Sequence, residues 1–196
     1  MRLLLYNIRY AVGGGASMHM PIPGAGYVLG NQAVLPEITT FIKSVDPIVR
    51  KQGNAFMAAP RVHGERFHYF DTGIKRLIIE LEMDEFAIFL VHLSLKYRHR
   101  HLQLRHLYDL IEATEKPVIV AGDLNTFWGE NEIYLFKKAA GLVSANADGL
   151  PTYPSRAPRK ELDFILHQDG IRVTRFEIPQ VRFSDHLPLV CDFEPA

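Results

Sequence analysis

At 196 residues, with 47% hydrophobic and 22% charged residues, the chain has room for one sizeable α/β domain and not for two. Its 22 Lys and Arg balance 22 Asp and Glu, which excludes a whole-molecule field toward nucleic acid or anionic membrane, so any anion must be held locally. The lone Cys191 excludes an internal disulfide framework and fits a reducing, cytoplasmic setting, and no apolar stretch approaches the length needed for membrane insertion.

Residues 3–10 read as a buried strand through Leu3, Leu4, Leu5 and Ile8, with Asn7 and Arg9 two apart at its mouth. The apolar run at residues 1–6 is too short for a secretory segment and meets Asn7 and Arg9 at once. Residues 13–30, rich in Gly and Pro, form a loop, either a flap or a plain surface connection. A helix is expected over 31–44, with Leu35, Ile38, Phe41 and Ile42 on one face and Asp46-Pro47 as its stop. Residues 55–59 are a short strand candidate, and 61–71 form a polar, aromatic stretch.

Two strands are expected over 75–83 and 85–92, the second apolar throughout and therefore interior. It ends at His92, which is either a structural residue or a catalyst. The helix over 97–113 turns Leu104, Leu107, Leu110 and Ile111 inward and leaves Arg98, Arg100, His101, Arg105 and His106 mostly outward. Another helix spans 130–140 and stops at Gly141. Residues 150–155 form a loop held by Pro151 and Pro154. Strands follow over 162–166, with Asp163 embedded among apolar residues, then over 171–178 and 190–193. A buried carboxylate at Asp163 requires a partner. Cys191 lies in the apolar run 187–193 and reads as a buried thiol.

The organising stretch is Val118-Ile119-Val120-Ala121-Gly122-Asp123-Leu124-Asn125-Thr126. A strand ends at a glycine, and alternation along it puts Asp123 and Asn125 on one face, where open α/β sheets collect their sites. The pair can orient a water, bind a hard cation or hold a phosphate oxygen; equally, it can be an Asx turn after a buried strand. Polar residues at apolar strand ends are Asn7, His92, Asp123, Asn125, Asp163, Asp185 and His186. No Cys/His zinc spacing, glycine-rich phosphate loop or nucleophile elbow appears. Ser184, His186 and Asp163 can be assembled on paper as a triad, but nothing presents the serine. The more economical assignment pairs buried Asp163 with His186, fixing the imidazole and raising its basicity. Asp123 then deprotonates a water, Asn125 positions it, and Asn7 and Asp185 hold Mg²⁺. That set suits in-line attack on a phosphate ester.

Tyr6-Asn7-Ile8-Arg9-Tyr10, Val91-His92-Leu93, Gly122-Asp123-Leu124-Asn125, Leu162-Asp163-Phe164-Ile165-Leu166 and Ser184-Asp185-His186-Leu187-Pro188 resemble the endonuclease/exonuclease/phosphatase superfamily, in that family's order. The resemblance implies a four-layer α/β sandwich, two facing mixed sheets flanked by helices. It implies Mg²⁺-dependent hydrolysis of phosphodiesters or phosphomonoesters, with Mn²⁺ as the alternative ion. By the same resemblance Asn7 and Asp185 lie at the metal, and Arg9 and Asn125 at the phosphate. His92 contacts the phosphate, Asp123 activates water, Asp163 pairs with the last histidine, and His186 stabilises the transition state.

One departure stands out. The family places a metal-ligating Glu at the end of a second strand, after the first helix. Here residues 48–51 run directly into a basic turn, and no acid follows Asp46 until Glu65. Glu37 falls in the expected helix and Glu65 in the polar stretch, so the chain reads as lacking one strand and its neighbourhood after residue 47. A phosphate- or nucleic-acid-binding module that has lost the ligand is the competing reading. The substrate class is a nucleic acid, a nucleotide or a lipid head group, and nothing in the sequence sets the oligomeric state.

Overall fold

The computed structural model describes residues 1–7, 62–73, 77–127 and 131–196. The expected loop, first helix, short strand and Pro47–Ile48 junction within 8–61 lie outside those residues, as does Arg9.

Two sheets carry the described chain. A three-stranded antiparallel sheet has the order β1 (Arg2–Leu5), β9 (Leu189–Pro195), β8 (Ile171–Glu177). The other has six strands: β2 (Gly64–Tyr69), β3 (Leu77–Glu82), β4 (Ala87–His92), β5 (Val118–Asp123), β7 (Asp163–His167) and β6 (Val143–Ser144). Its parallel pair, β4 and β5, is joined through helix α1 (Tyr97–Glu112), a connection that parallel pairing demands. Helix α2 (Asn131–Ala139) follows β5.

The layering follows from the strand sequences. β5 is buried at every position and β4 at all but His92, as near-continuous apolar runs require of strands covered on both faces. One face of the six-stranded sheet, with Ile78, Phe89, Val91, Val120 and Phe164, packs with Leu104, Leu107 and Ile111 of α1 and Ile133 and Phe136 of α2. The opposite face, with Ile79, Ile88, Leu90, Ile119 and Ile165, packs with Leu189, Cys191 and Phe193 of the smaller sheet. The architecture is an α/β sandwich with two facing sheets, as expected. Cys191 is 1% exposed, and burial pushes its thiol up to about 11, confirming a packing role.

Three local readings change. Residues 64–69 form a strand despite their polarity, because β2 is the outermost strand of its sheet among the described residues and its polar side chains find partners on β3: Arg66 Nη1 to Glu80 Oε1 at 2.5 Å and His68 Nε2 to Glu80 Oε2 at 2.6 Å. Arg100 is not outward but fully buried; it ion-pairs with Glu132 of α2 and donates to the carbonyls of Ser94 and Leu95 at 3.2 and 2.9 Å. Leu110 does turn inward, packing half-buried against the core, so of the helix residues only Arg100 is reassigned. Strand β5 stops at Asp123, so strand alternation does not extend to Asn125, which takes a left-handed φ of 53° that Asn tolerates.

Candidate active site at the ends of three strands

Register assembles the site. His92, Asp123 and Asp163 occupy one cross-strand row, His92 opposite Asp123 and Asp123 opposite Asp163. The strands approach so closely that a Cβ on Gly122 would fall 1.8 Å from the Val91 carbonyl oxygen, which explains the glycine immediately before Asp123. In the facing sheet Leu5 pairs with Leu189, so Asn7 and His186 both lie just beyond the same end of that pair.

Asp123 is 4% exposed and held from several sides. Its Oδ2 accepts from Asn7 Nδ2 at 2.7 Å and lies 3.1 Å from His92 Nε2; its Oδ1 accepts from the Asn125 backbone N–H at 2.9 Å. The last bond is an Asx turn, the conformational reading of this pair. Asn125 Nδ2 donates to the Leu93 carbonyl at 2.8 Å, tying the turn after β5 to the residue that follows His92.

The second half of the site is a buried dyad. His186 Nδ1 lies 2.7 Å from Asp163 Oδ2, with His186 7% and Asp163 1% exposed. Thr152 Oγ1 donates to the same Asp163 oxygen at 2.7 Å. Burial pulls the His186 pKa down, but the hydrogen bond its ring donates to Asp163 and the charges of Asp163, Asp123 and Asp185 outweigh it and leave it raised. His186 Nε2 lies 3.4 Å from Asn7 Nδ2, so the dyad reaches back to the Asp123 group.

The loop before β7 fixes this geometry. The Leu187 N–H donates to the Thr152 carbonyl at 2.8 Å, and the Ser155 N–H to the Asp185 carbonyl at 2.7 Å. Ser155 Oγ donates to the Ser184 carbonyl at 2.6 Å, and the Tyr153 ring sits 4.9 Å from the His186 ring at 51°. Thr152 and Tyr153 were missed from sequence; Pro151 and Pro154 marked the loop but not what it holds. Ser184 Oγ donates to the Asn7 carbonyl at 2.5 Å and lies 3.2 Å from Asp185 Oδ1. It is committed to backbone, and the serine-triad arrangement is not formed.

Several groups suit a divalent cation. Ligand atoms of Asp123, Asp163 and His186 lie within 4.8 Å of one another. Asp163 Oδ1 is buried with no hydrogen-bond partner among the described residues. Because His186 Nδ1 is bound to Asp163, the ligands on offer are chiefly oxygens, with half-buried Asn7 and Asp185 adding two more. Oxygen donors fit a hard ion such as Mg²⁺ or Mn²⁺ better than Zn²⁺. Glu65 is excluded as a ligand by register. It lies in line with Leu81, Ile88 and Ile119, four residues or about 13 Å from the Asp123 row at strand rise.

A model of the Endonuclease/Exonuclease/phosphatase family matches residues 33–186. A UPF0294 protein of Yersinia pseudotuberculosis is 36% identical over 97 residues, 47% of this chain and 35% of the relative; the chain thus matches about a third of that protein's length. Among solved structures, an endonuclease/exonuclease/phosphatase from Beutenbergia cavernae superposes with a TM-score of 0.73 at 17% identity, over 100% of this chain and 71% of that one. The human Nocturnin catalytic domain with bound sulfate anion superposes with a TM-score of 0.66 at 21% identity, over 100% and 94%. With the family match spanning most of the chain, this protein belongs to the endonuclease/exonuclease/phosphatase family.

Proposed function

We propose that this chain is a divalent-metal-dependent hydrolase of phosphodiester or phosphomonoester bonds. The row of His92, Asp123 and Asp163, with His186 bound to Asp163, is the observation that carries the reading. The sulfate named with the Nocturnin domain is a tetrahedral anion of the same shape as phosphate, and supports a phosphate-sized site in this fold.

Asp123 takes a proton from the attacking water. Its donors from Asn7 and the Asn125 backbone hold its carboxylate in one orientation, which is what in-line attack needs of a base. Asn125, in its tight turn, positions the water or a phosphate oxygen, and His92 contacts the phosphate. His186, kept protonated to higher pH by Asp163, donates to an oxygen that gains charge. Asn7 and Asp185 would hold Mg²⁺ or Mn²⁺, with water completing the shell; the bound ion would neutralise developing charge on phosphate oxygens. Arg9, outside the described residues, is assigned to the phosphate by its place in the motif. A single cysteine, Cys191, fits the reducing conditions of a cytoplasmic setting.

One observation favours a second reading, a phosphate- or nucleic-acid-binding module. Between Asn7 and Glu65 the only acids are Glu37 and Asp46, and Glu65 sits away from the site. Wild-type turnover separates the two, since a binding module shows none, and Asp123→Ala then tests the mechanism. Catalysis predicts that turnover is abolished while inorganic phosphate still binds in calorimetry. Unchanged kinetics would remove Asp123 from the mechanism.

A further inference from the structure

Beside the proposed catalytic residues lies a groove of about 260 Å³ lined by Thr126, Phe127, Pro151, Arg159, Lys160 and Glu161. It starts where the Asn125 turn ends. A two-residue bridge builds its wall: the Tyr153 N–H donates to the Lys160 carbonyl and the Lys160 N–H to the Tyr153 carbonyl, both at 2.9 Å. The bridge sets Tyr153 toward His186 and delivers Arg159 and Lys160 to the groove. The Phe127 and Tyr153 rings meet edge to face at 5.4 Å and 80°, so an unbroken aromatic path runs from His186 through Tyr153 to Phe127.

The charge is local. Lys160 Nζ donates to the Phe127 carbonyl at 2.8 Å and lies 5.2 Å from the Phe127 ring centroid. An ammonium has three donors, so that single bond leaves two for a ligand. Arg159 is exposed and makes no ion pair with any described residue. The opposing carboxylate, Glu161, accepts from Asn146 Nδ2 at 2.7 Å. In a chain of zero formal charge, two adjacent cations beside an aromatic pair form a concentrated anion site.

We infer that this groove is a second-phosphate subsite, which takes the nucleotide unit next to the scissile phosphate. The flat base packs against Phe127, which Tyr153 backs edge to face, and the non-scissile phosphate meets Arg159 and Lys160. Aromatic packing with a cationic neighbour is how single-stranded nucleic acid is held, because every base has a π-face, which an inositol head group lacks. At about 260 Å³ the groove is of the size of one small unit, below the roughly 300–1,000 Å³ of pockets that enclose drug-sized ligands. This assignment rests on the phosphoesterase reading and narrows its substrate class.

Two measurements test it. The first is binding of adenosine 3′,5′-bisphosphate and of inositol 1,4,5-trisphosphate, by calorimetry, to the whole chain and to Arg159→Ala and Arg159→Ala/Lys160→Ala variants. The exposed Arg159 gives a single variant with no packing to lose. We expect the bisphosphate to bind more tightly than the trisphosphate, and the double variant to weaken it about tenfold or more. The second compares kcat/KM for a 5′-phosphorylated dithymidylate with that for bis(p-nitrophenyl) phosphate; the ratio should fall about tenfold in the double variant, through KM. Tighter trisphosphate binding that also depends on Arg159 would overturn the nucleotide assignment in favour of a head group. Bisphosphate binding and a substrate ratio that ignore both substitutions would overturn the subsite. Failure of the wild type to hydrolyse either substrate would strike the phosphoesterase reading instead, and the binding measurement would still decide the groove.

Discussion

Asp163 and His186 are joined by a 2.7 Å contact between Oδ2 and Nδ1, both side chains almost wholly buried. A buried carboxylate without a partner is costly, so each residue justifies the other. The pair also links the two sheets, since Asp163 opens β7 of one and His186 precedes β9 of the other.

Asp163→Asn removes the charge that holds the His186 pKa up and keeps the side-chain shape. A folded variant should lose about 100-fold or more in kcat. The sign of its pH effect follows from the same cause. Wild-type His186 stays protonated to higher pH than an ordinary imidazole, so the alkaline limb of kcat against pH should move toward acid in the variant. Near-wild-type turnover with an unmoved limb would remove the pair from the mechanism.

Gly122→Ala should be the most damaging single methyl in the site. The new Cβ would lie 1.8 Å from the Val91 carbonyl, and backbone on a central strand cannot yield. A loss above about 4 kcal/mol in urea unfolding, or failure to fold, is expected. Gly141→Ala, at φ +63° with nothing within 4 Å, should cost only about 1 kcal/mol. Equal effects at the two positions would contradict the close-approach account.

Arg100 and Glu132 join α1 to α2 beneath the chain that follows His92, through the Ser94 and Leu95 carbonyls. Arg100 Nη2 and Glu132 Oε2 are buried without partners among the described residues, so the pair is incompletely satisfied. Arg100→Met alone should cost about 3–5 kcal/mol by leaving a buried unpaired carboxylate. Adding Glu132→Leu should recover most of that loss in the same urea titration. A single variant as stable as the wild type would show that the pair carries no weight.

Much of this was legible in the chain. Asp163 amid Leu162, Phe164 and Ile165 demanded a buried partner, and His186 met the demand. The apolar runs of β4 and β5 marked the centre of the sheet. The common row of His92, Asp123 and Asp163 was not legible, because register across β4, β5 and β7 is set by long-range pairing. Arg100 was misread because helical periodicity sorts faces without seeing a carboxylate on another helix. Strand β2 was missed because a strand whose Arg66 and His68 find a partner in Glu80 needs no apolar alternation. Leu135 is 65% exposed although apolar; nothing among the described residues covers it.

Whether the chain is a metal-dependent phosphoesterase is decided by hydrolysis of bis(p-nitrophenyl) phosphate and p-nitrophenyl phosphate by the purified chain, with and without Mg²⁺ or Mn²⁺, beside His186→Ala. Metal-dependent turnover of at least one ester that disappears in the variant is expected. A folded wild type with no turnover in either metal, or turnover that survives the loss of His186, would contradict it.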